Sequence, residues 1–190
     1  MKIAVLAVQG AFEEQEKVFR ELGADTIQLR QAKDLDGEFD ALVLPGGEST
    51  VQGKLLRELD MYDKVCKLIR DGMPVFATCA GLILLAERIA GDEAVHIGTL
   101  PVTVKRNAYG RQLGSFHYAE GEFGDICDFP MEFIRAPYVE SVSDGVEIMA
   151  TVDGRIVGVR YENQLAMAFH PELGGDHRIH QMFLDSILKS

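Results

Sequence analysis

Residues 74–90 have the sequence PVFATCAGLILLAERIA, in which a short apolar run is followed directly by a longer one. The first run, 74–78, has the length and composition of a strand that is buried in a parallel sheet. Residues 80–90 are predicted to form an apolar helix that ends at Gly91. Cys79 therefore lies at the junction of a buried strand and a helix, which is typical of an α/β fold.

The chain before this unit repeats the alternation of strand and helix. The continuous apolar run at 3–8 predicts a strand buried on both faces, and an amphipathic helical pattern follows it. A later apolar run ends at Pro45-Gly46-Gly47, before a helix that Ser49 or Thr50 can cap and that extends to Gly72. The predicted strands are 3–8, 26–30 and 40–44, and the predicted helices are 12–22 and 49–72.

The second half of the chain is rich in short strands that are separated by turn residues. Strands are predicted at 99–105, 132–136, 146–152, 156–161 and 164–169, before a final helix at 178–188. Alternating strands and helices followed by consecutive strands predict one α/β domain over residues 1–190, with a parallel core and antiparallel additions.

The composition is that of an ordinary globular protein. The 190 residues are 47% hydrophobic and 26% charged, which excludes a disordered or fibrous chain. The formal net charge of -11 argues against nucleic-acid binding, which needs a basic surface. Three cysteines without a C-x-x-C pair predict free thiols in a reducing cytoplasm, and no apolar run approaches the length of a membrane span.

Cys79 is a candidate nucleophile. A side chain at a strand-to-helix junction faces the carboxyl edge of the sheet, where open α/β folds bind ligands. The following helix directs its amino-terminal dipole at the sulfur, and the small residues Ala80 and Gly81 allow a substrate to approach a backbone N–H. The alternative is a buried structural cysteine, which is our interpretation of Cys66 and Cys127.

The motif His170-Pro171-Glu172 supplies a candidate base for this thiol. It follows the apolar run at 164–169, so the imidazole lies at a strand end. His170 can serve as base to a cysteine and as acid to a leaving amine, while Glu172 holds the other ring nitrogen. The alternative is a surface turn in which both side chains are solvated.

A metal site is a second interpretation of this region. His170, Glu172, His177 and His180 are close in sequence, and zinc catalysis needs three protein ligands and an open position. No H-E-x-x-H or paired-cysteine signature accompanies these residues. We therefore expect no metal.

Two further features fit a small anionic ligand. Gly46 and Gly47 precede a helix start, where backbone N–H groups can bind an anion, although the pattern is neither a P-loop nor a dinucleotide fingerprint. Arg106 and Arg135 lie near the ends of strand-like runs and can bind a carboxylate through two hydrogen bonds. The alternative for the two glycines is a plain strand–helix connection, and the alternative for the arginines is a solvated surface position. Each of these alternatives is favoured when its feature is considered by itself.

In combination these features resemble the class I glutamine amidotransferases, whose triad is Cys–His–Glu. Within that class the chain is similar to the glutaminase subunits of pyridoxal 5′-phosphate synthase. The strings that carry the resemblance are VLAVQG at 5–10, GGEST at 46–50, CAGLILL at 79–85, RNAYGRQ at 106–112, FIRAP at 133–137 and HPEL at 170–173. The string GSFH at 114–117 departs from the family, in which we expect a string similar to Asp-Ser-Phe-Glu.

The resemblance implies a three-layer domain that hydrolyses L-glutamine. Cys79 would attack the side-chain amide carbon, His170 would protonate the departing ammonia and then activate water, and Glu172 would orient His170. The backbone N–H groups of Gly47 and Ala80 would form the oxyanion hole. The implied glutamine-binding positions are Gly47, Glu48, Ser49, Arg106, Ile134 and Arg135.

The resemblance also implies a protein partner. This partner is a (β/α)8 synthase barrel that assembles into a dodecameric core, and the loop at Gln9 and Gly10 would face it. From the family's dependence on this partner we expect the Gly46–Gly47 peptide to be misaligned in the free chain. Pyridoxal 5′-phosphate would be the product of the complex, so this chain would need no cofactor.

Two alternatives differ from this prediction. One is the glutaminase subunit of another amidotransferase, such as imidazole glycerol phosphate synthase, which would share the triad and differ in its partner. The other is a non-enzymatic α/β protein that uses Cys79 for binding or redox sensing.

Overall fold

A mixed sheet of ten strands forms the centre of the protein in a computed structural model, which describes residues 1–106 and 115–189. Five neighbouring strands run parallel in the order β2-β1-β3-β4-β12. Except in β2, almost all residues of these strands are buried, as expected for the middle of a parallel sheet. The five strands are β1 (Lys2–Leu6), β2 (Asp25–Leu29), β3 (Ala41–Leu44), β4 (Val75–Thr78) and β12 (Gln164–Met167).

Beyond β12 the sheet becomes largely antiparallel. The strand β11 (Arg155–Tyr161) pairs antiparallel with β12, with β10 (Glu147–Val152) and with β9 (Tyr138–Val142). The sheet continues from β9 to β6 (Leu100–Lys105) and then to β5 (Ala86–Ile89). This arrangement confirms the predicted α/β class, with a mostly parallel sheet and antiparallel additions.

A separate ribbon is formed by β7 (Ser115–Phe123) and β8 (Ile126–Ile134). It packs on Phe169, which follows β12, because the rings of Phe123, Phe129 and Phe133 lie 5.9, 6.2 and 5.7 Å from the Phe169 ring. The ribbon therefore covers the chain next to His170.

The helices are α1 (Phe12–Glu21), α2 (Ser49–Glu58), α3 (Tyr62–Arg70), α4 (Ala80–Leu85) and α5 (Arg178–Ile187), with a 3-10 helix at Ala32–Asp36. Within the described ranges, no helix combines the length and apolarity that a membrane span requires.

The predicted continuous helix at 49–72 is wrong, because the chain forms two helices there. The first ends in a Schellman motif, in which Met61 N donates to Leu56 O at 2.9 Å and Asp60 N donates to Arg57 O at 3.2 Å. Asp60 adopts the left-handed conformation, with a φ of 54°, that glycine usually occupies. Met61 is completely buried, so its packing stabilises a turn that no glycine announces.

The start of α2 also differs from the prediction. Neither Ser49 nor Thr50 is the N-cap. Glu48 takes that position, and its carboxylate accepts hydrogen bonds from Thr50 N at 3.3 Å and Val51 N at 2.9 Å. A carboxylate at this end is also favoured by the helix dipole.

The predicted helix at 80–90 is wrong in its second half. The helix ends at Leu85, and Ala86–Ile89 forms the strand β5 against β6. The strands β7 and β9 were not predicted, and the predicted strand at 132–136 is the end of the longer strand β8. Each of these differences depends on pairing between segments that are distant in sequence, which local composition does not report.

Candidate active site

The residues predicted to carry chemistry meet at the carboxyl edge of the parallel strands. Gln9 follows β1, Gly46 follows β3, Cys79 follows β4 and His170 follows β12, and these four strands are consecutive neighbours. Their loops surround a cavity of about 540 Å³. Its lining consists of Gln9, Ala11, Gly46, Gly47, Glu48, Ser49, Cys79, Ile83, Arg106, Ile134, Arg135 and His170.

Cys79 occupies a sharp turn between β4 and α4. Its φ of 48° and ψ of -99° are unusual for a residue with a side chain. The turn is held by Cys79 N, which donates to Met167 O at 2.8 Å. The thiol is 6% exposed, and Sγ lies 3.9 Å from the Ile134 carbonyl oxygen. Ala80 begins α4, so its backbone N–H has no partner within the helix and can serve an oxyanion.

His170 and Glu172 form a buried pair beside this thiol. His170 Nδ1 lies 2.7 Å from Glu172 Oε1, and the side chains are 8% and 0% exposed, respectively. His170 N also donates to Glu132 O at 2.8 Å, which ties the segment after β12 to the ribbon. The structure therefore brings Cys79, His170 and Glu172 together.

The environment of the imidazole favours its protonated form. Burial lowers the pKa of His170, but hydrogen bonds and charge from Cys79 and Glu172 outweigh burial and raise this pKa to about 10. The ring is thus an imidazolium at neutral pH. Because Glu172 accepts the proton on Nδ1, the proton on Nε2 is the one available to Cys79 and to a leaving group.

The ring of His170 packs against the backbone of Gly46. A Cβ atom at position 46 would lie 2.3 Å from His170 Cε1, a separation that real atoms do not adopt. Glycine is therefore required by the close approach of the ring, rather than by backbone conformation.

We expect Gly46→Ala to lower kcat for glutamine hydrolysis by about 100-fold, because the methyl group must displace the His170 ring from its productive position. Steady-state kinetics would measure this loss. Gly175→Ala is the matched control, because nothing lies within 4 Å of a Cβ at that position. Equal activity of the two variants would contradict the packing argument.

Gly46 is also anchored at both of its peptide groups. Its N–H donates to Thr78 Oγ1 at 3.0 Å, and its carbonyl oxygen accepts a hydrogen bond from Ala11 N at 2.9 Å. The second bond sets the direction of the Gly46–Gly47 peptide, whose N–H belongs to the predicted oxyanion hole. Misalignment of this peptide in the free chain stays a prediction.

Gln9 points into the site rather than away from the protein. Its Oε1 accepts a hydrogen bond from Glu48 N at 2.9 Å, while the neighbouring Gly10 is exposed. The loop therefore supports the start of α2 and reaches the surface at Gly10.

The other predicted glutamine-binding residues line the same cavity. Ser49 is buried, whereas Ile134 and Arg135 are exposed at its rim. Arg106 forms an ion pair with Asp92, and its Nη1 donates to Thr50 Oγ1 at 3.2 Å.

Several residues that line or support the cavity were not predicted from the sequence. Ala11 and Ile83 line the cavity as small and apolar residues without a chemical signature, and Asp92 orients Arg106 from a turn. Thr78 directly precedes Cys79, and a hydroxyl next to a candidate nucleophile is a sequence feature that could have indicated its role. Of the RNAYGRQ string, residues 107–112 lie outside the described residues.

In the GSFH string, which departs from the family, His117 has a local partner. Gly114 lies outside the described residues, but His117 pairs with Glu132 across the ribbon, and its Nδ1 lies 2.6 Å from Glu132 Oε1. A glutamate at position 117 would instead oppose a like charge.

The side chains weighed as metal ligands are divided among different contacts. His177 Nδ1 lies 3.7 Å from Glu21 Oε2, and His180 Nε2 lies 3.1 Å from Gln15 Oε1, while His170 and Glu172 contact each other. In the part of the chain that the structure describes, no group of three or more His, Cys, Asp or Glu side chains could hold a metal ion.

Comparisons with known proteins agree with this geometry. The family model described as "SNO glutamine amidotransferase family" matches residues 5–189. A relative from Desulfitobacterium hafniense (strain Y51), named "Pyridoxal 5'-phosphate synthase subunit PdxT", is 64% identical over 187 residues, which are 98% of this chain and 94% of the relative. A protein of the same name from Streptococcus pneumoniae (strain ATCC 700669 / Spain 23F-1) is 50% identical over 188 residues and 97% of each chain.

A solved structure is similar over the same extent. It is titled "Crystal structure of glutamine amidotransferase", has a TM-score of 0.91 and 41% sequence identity, and the match covers 97% of this chain and 98% of that chain. The resemblance inferred from the sequence strings is therefore confirmed. The chain belongs to the SNO glutamine amidotransferase family.

Proposed function

We propose that this chain is the glutaminase subunit of pyridoxal 5′-phosphate synthase, with residues 1–190 acting as one amidotransferase domain. It hydrolyses L-glutamine to L-glutamate and ammonia, and it supplies the ammonia to a synthase subunit. The observation that carries the proposal is the buried His170–Glu172 pair beside Cys79, where Cys79 and His170 both line a cavity of about 540 Å³. The relatives named as synthase subunits support the choice of pathway.

The first half of the reaction forms a thioester. The Cys79 thiolate attacks the side-chain amide carbon of glutamine, and the carbonyl oxygen becomes an oxyanion. When the tetrahedral intermediate collapses, the carbon–nitrogen bond breaks and His170 Nε2 gives its proton to the departing ammonia. Glu172 keeps the ring oriented throughout, because it holds Nδ1 at 2.7 Å.

The second half releases glutamate. Neutral His170 removes a proton from water, and the resulting hydroxide attacks the thioester carbon. Collapse of this second intermediate breaks the carbon–sulfur bond and regenerates the Cys79 thiolate beside the imidazolium. The protein thus returns to its starting protonation state.

The remaining site residues would bind glutamine and stabilise the oxyanion. The N–H groups of Gly47 and Ala80 form the oxyanion hole, where one donor contributes about 3 kcal/mol to transition-state binding. Glutamine is held by Gly47, Glu48, Ser49, Arg106, Ile134 and Arg135. Among them Arg106 and Arg135 carry the positive charge that suits the substrate carboxylate. Asp92 and Thr50 orient the guanidinium of Arg106.

The partner is a (β/α)8 barrel subunit in a dodecameric core, and the loop of Gln9 and Gly10 faces it through the exposed Gly10. Direct transfer keeps ammonia out of water, where it would be protonated and lose its nucleophilicity. Pyridoxal 5′-phosphate is then a product of the complex, and this chain uses no cofactor.

Glutamate release from glutamine by the purified chain tests the proposal, with and without a pyridoxal 5′-phosphate synthase barrel subunit. We expect strong stimulation by the barrel subunit and no activity above background for Cys79→Ala. Activity that the barrel leaves unaffected would keep the glutaminase and assign it to another amidotransferase, such as imidazole glycerol phosphate synthase. No activity in either case would return Cys79 to a redox or binding role.

A further inference from the structure

A buried chain of hydrogen bonds runs beneath the loop that carries the oxyanion peptide. Gly46 N donates to Thr78 Oγ1 at 3.0 Å, and Gln15 Nε2 donates to the same oxygen at 3.3 Å. His180 Nε2 lies 3.1 Å from Gln15 Oε1. The side chains of Thr78, Gln15 and His180 belong to residues with 0% exposure. The chain therefore links α5 and α1 to the loop after β3 without contact with solvent.

His180 occupies an apolar environment. Its ring lies 5.1 Å from the ring of Phe19 and 4.8 Å from that of Phe76. Burial, with a smaller effect of His177, lowers the pKa of His180 to about 3, so the ring is neutral at physiological pH. Because Gln15 Oε1 is an acceptor, Nε2 carries the ring proton and donates it.

Polar groups in such an environment cost free energy unless they are paired. The hydrogen bond to Gln15 satisfies His180 Nε2, whereas Nδ1 is buried without a hydrogen-bond partner among the described residues. An apolar side chain would fill this position without that cost. The buried histidine is accounted for if its hydrogen bond to Gln15 has a function.

At its other end, this series of hydrogen bonds reaches Gly46, and that contact indicates its function. Gly46 is held at its N–H through Thr78 and Gln15, and at its carbonyl oxygen by Ala11 N at 2.9 Å. The carbonyl anchor is Ala11, the N-cap of α1, and the N–H anchor is Thr78 at the end of β4, which Gln15 of α1 holds in turn. The orientation of Gly46 sets that of the following peptide, which carries the Gly47 N–H.

We propose that Thr78, Gln15 and His180 are positioning residues, which hold Gly46 in the place from which the following peptide presents the Gly47 N–H for glutamine hydrolysis when the barrel subunit is bound. None of the three touches the substrate. The inference rests on the proposed glutaminase function and adds to it a set of residues remote from the cavity.

Thr78→Val tests the proposal, because valine has the shape of threonine and lacks the acceptor oxygen. In the full chain with the barrel subunit, we expect kcat to fall by about 10- to 100-fold, while KM for glutamine stays within about twofold. Gln15→Met breaks the same chain one step further away and is expected to lower kcat by about 3- to 10-fold. His180→Leu removes the hydrogen bond to Gln15 and is also expected to lower kcat. The conservative variants Thr78→Ser and His180→Gln keep a polar atom at each position. We therefore expect each of them to retain much of the kcat that the apolar variant at the same position loses.

A second readout separates positioning from general damage. Alkylation of Cys79 by iodoacetamide, followed by mass spectrometry, reports on the nucleophile and forms no oxyanion. We expect its rate constant to stay within about twofold in Gln15→Met, below the thermal transition of the variant. A variant that is merely destabilised would instead show parallel losses in alkylation, KM and kcat.

The outcomes distinguish this inference from the proposed function. An active wild-type protein whose kcat is unchanged in both Thr78→Val and Gln15→Met overturns the positioning role. So does a parallel loss of kcat and alkylation that the conservative variants do not recover. A wild-type protein without glutaminase activity in the presence of the barrel overturns the proposed function itself.

Discussion

Cys79→Ala is expected to abolish glutamate release, with a loss of about 10⁴-fold or more in kcat relative to the wild-type complex. The loss is large because the thioester pathway has no other nucleophile. Glutamine would still bind in the cavity, since the arginines and the backbone of the loop after β3 are unchanged. Isothermal titration calorimetry with glutamine, in parallel with the activity assay, separates lost chemistry from lost binding.

Cys127→Ala is the matched control for this prediction. Cys127 is an exposed free thiol on the ribbon and does not line the cavity. We expect this variant to retain wild-type kcat, because its side chain takes no part in the reaction. A Cys79→Ala protein that keeps more than about 1% of wild-type turnover would remove the cysteine from the mechanism.

Glu172→Gln is expected to lower kcat by about 10³- to 10⁴-fold, with little change in KM for glutamine. The carboxylate is completely buried and holds His170 Nδ1 at 2.7 Å. The neutral amide can keep the contact, but it removes the negative charge that stabilises the imidazolium. It can also present its amide N–H to Nδ1 and select the wrong tautomer.

The same variant has a spectroscopic prediction. Burial lowers the pKa of His170, and Cys79 and Glu172 together raise it to about 10, so loss of the carboxylate should bring this pKa down. Titration of the imidazole resonances by NMR would measure the change. Glu87→Gln, at an exposed position on β5, should leave both kcat and the His170 pKa at their wild-type values. An unaltered His170 pKa in Glu172→Gln would refute the assigned role of the carboxylate.

Both predictions depend on residues that could be identified from the sequence. Cys79 and His170 each follow an apolar run, and a residue that follows a parallel strand must lie at the carboxyl edge of the sheet. The runs before them, β4 and β12, are neighbours in the sheet, although 89 positions along the chain separate Val75 from its register partner Gln164. Their adjacency itself was expected only through the family resemblance.

Other features depended on contacts that local sequence does not encode. The end of α2 uses Asp60 where glycine is usual, because burial of Met61 stabilises the turn. The segment Ala86–Ile89 has a helical composition and forms a strand because β6 offers it hydrogen-bond partners. In both cases tertiary packing outweighs intrinsic propensity.

Three features could be predicted from the sequence alone: the α/β class, the strand ends that carry Cys79 and His170, and the glycines that allow close approach. These follow from local periodicity and residue type, which act over a few neighbouring positions. Tertiary packing sets the contact of Gln9 with Glu48 and the hydrogen bonds by which His180 and Gln15 reach the loop after β3 through Thr78. Buried polar atoms must find partners wherever the fold places them, so their pairing is a property of the packed molecule rather than of any segment of its chain.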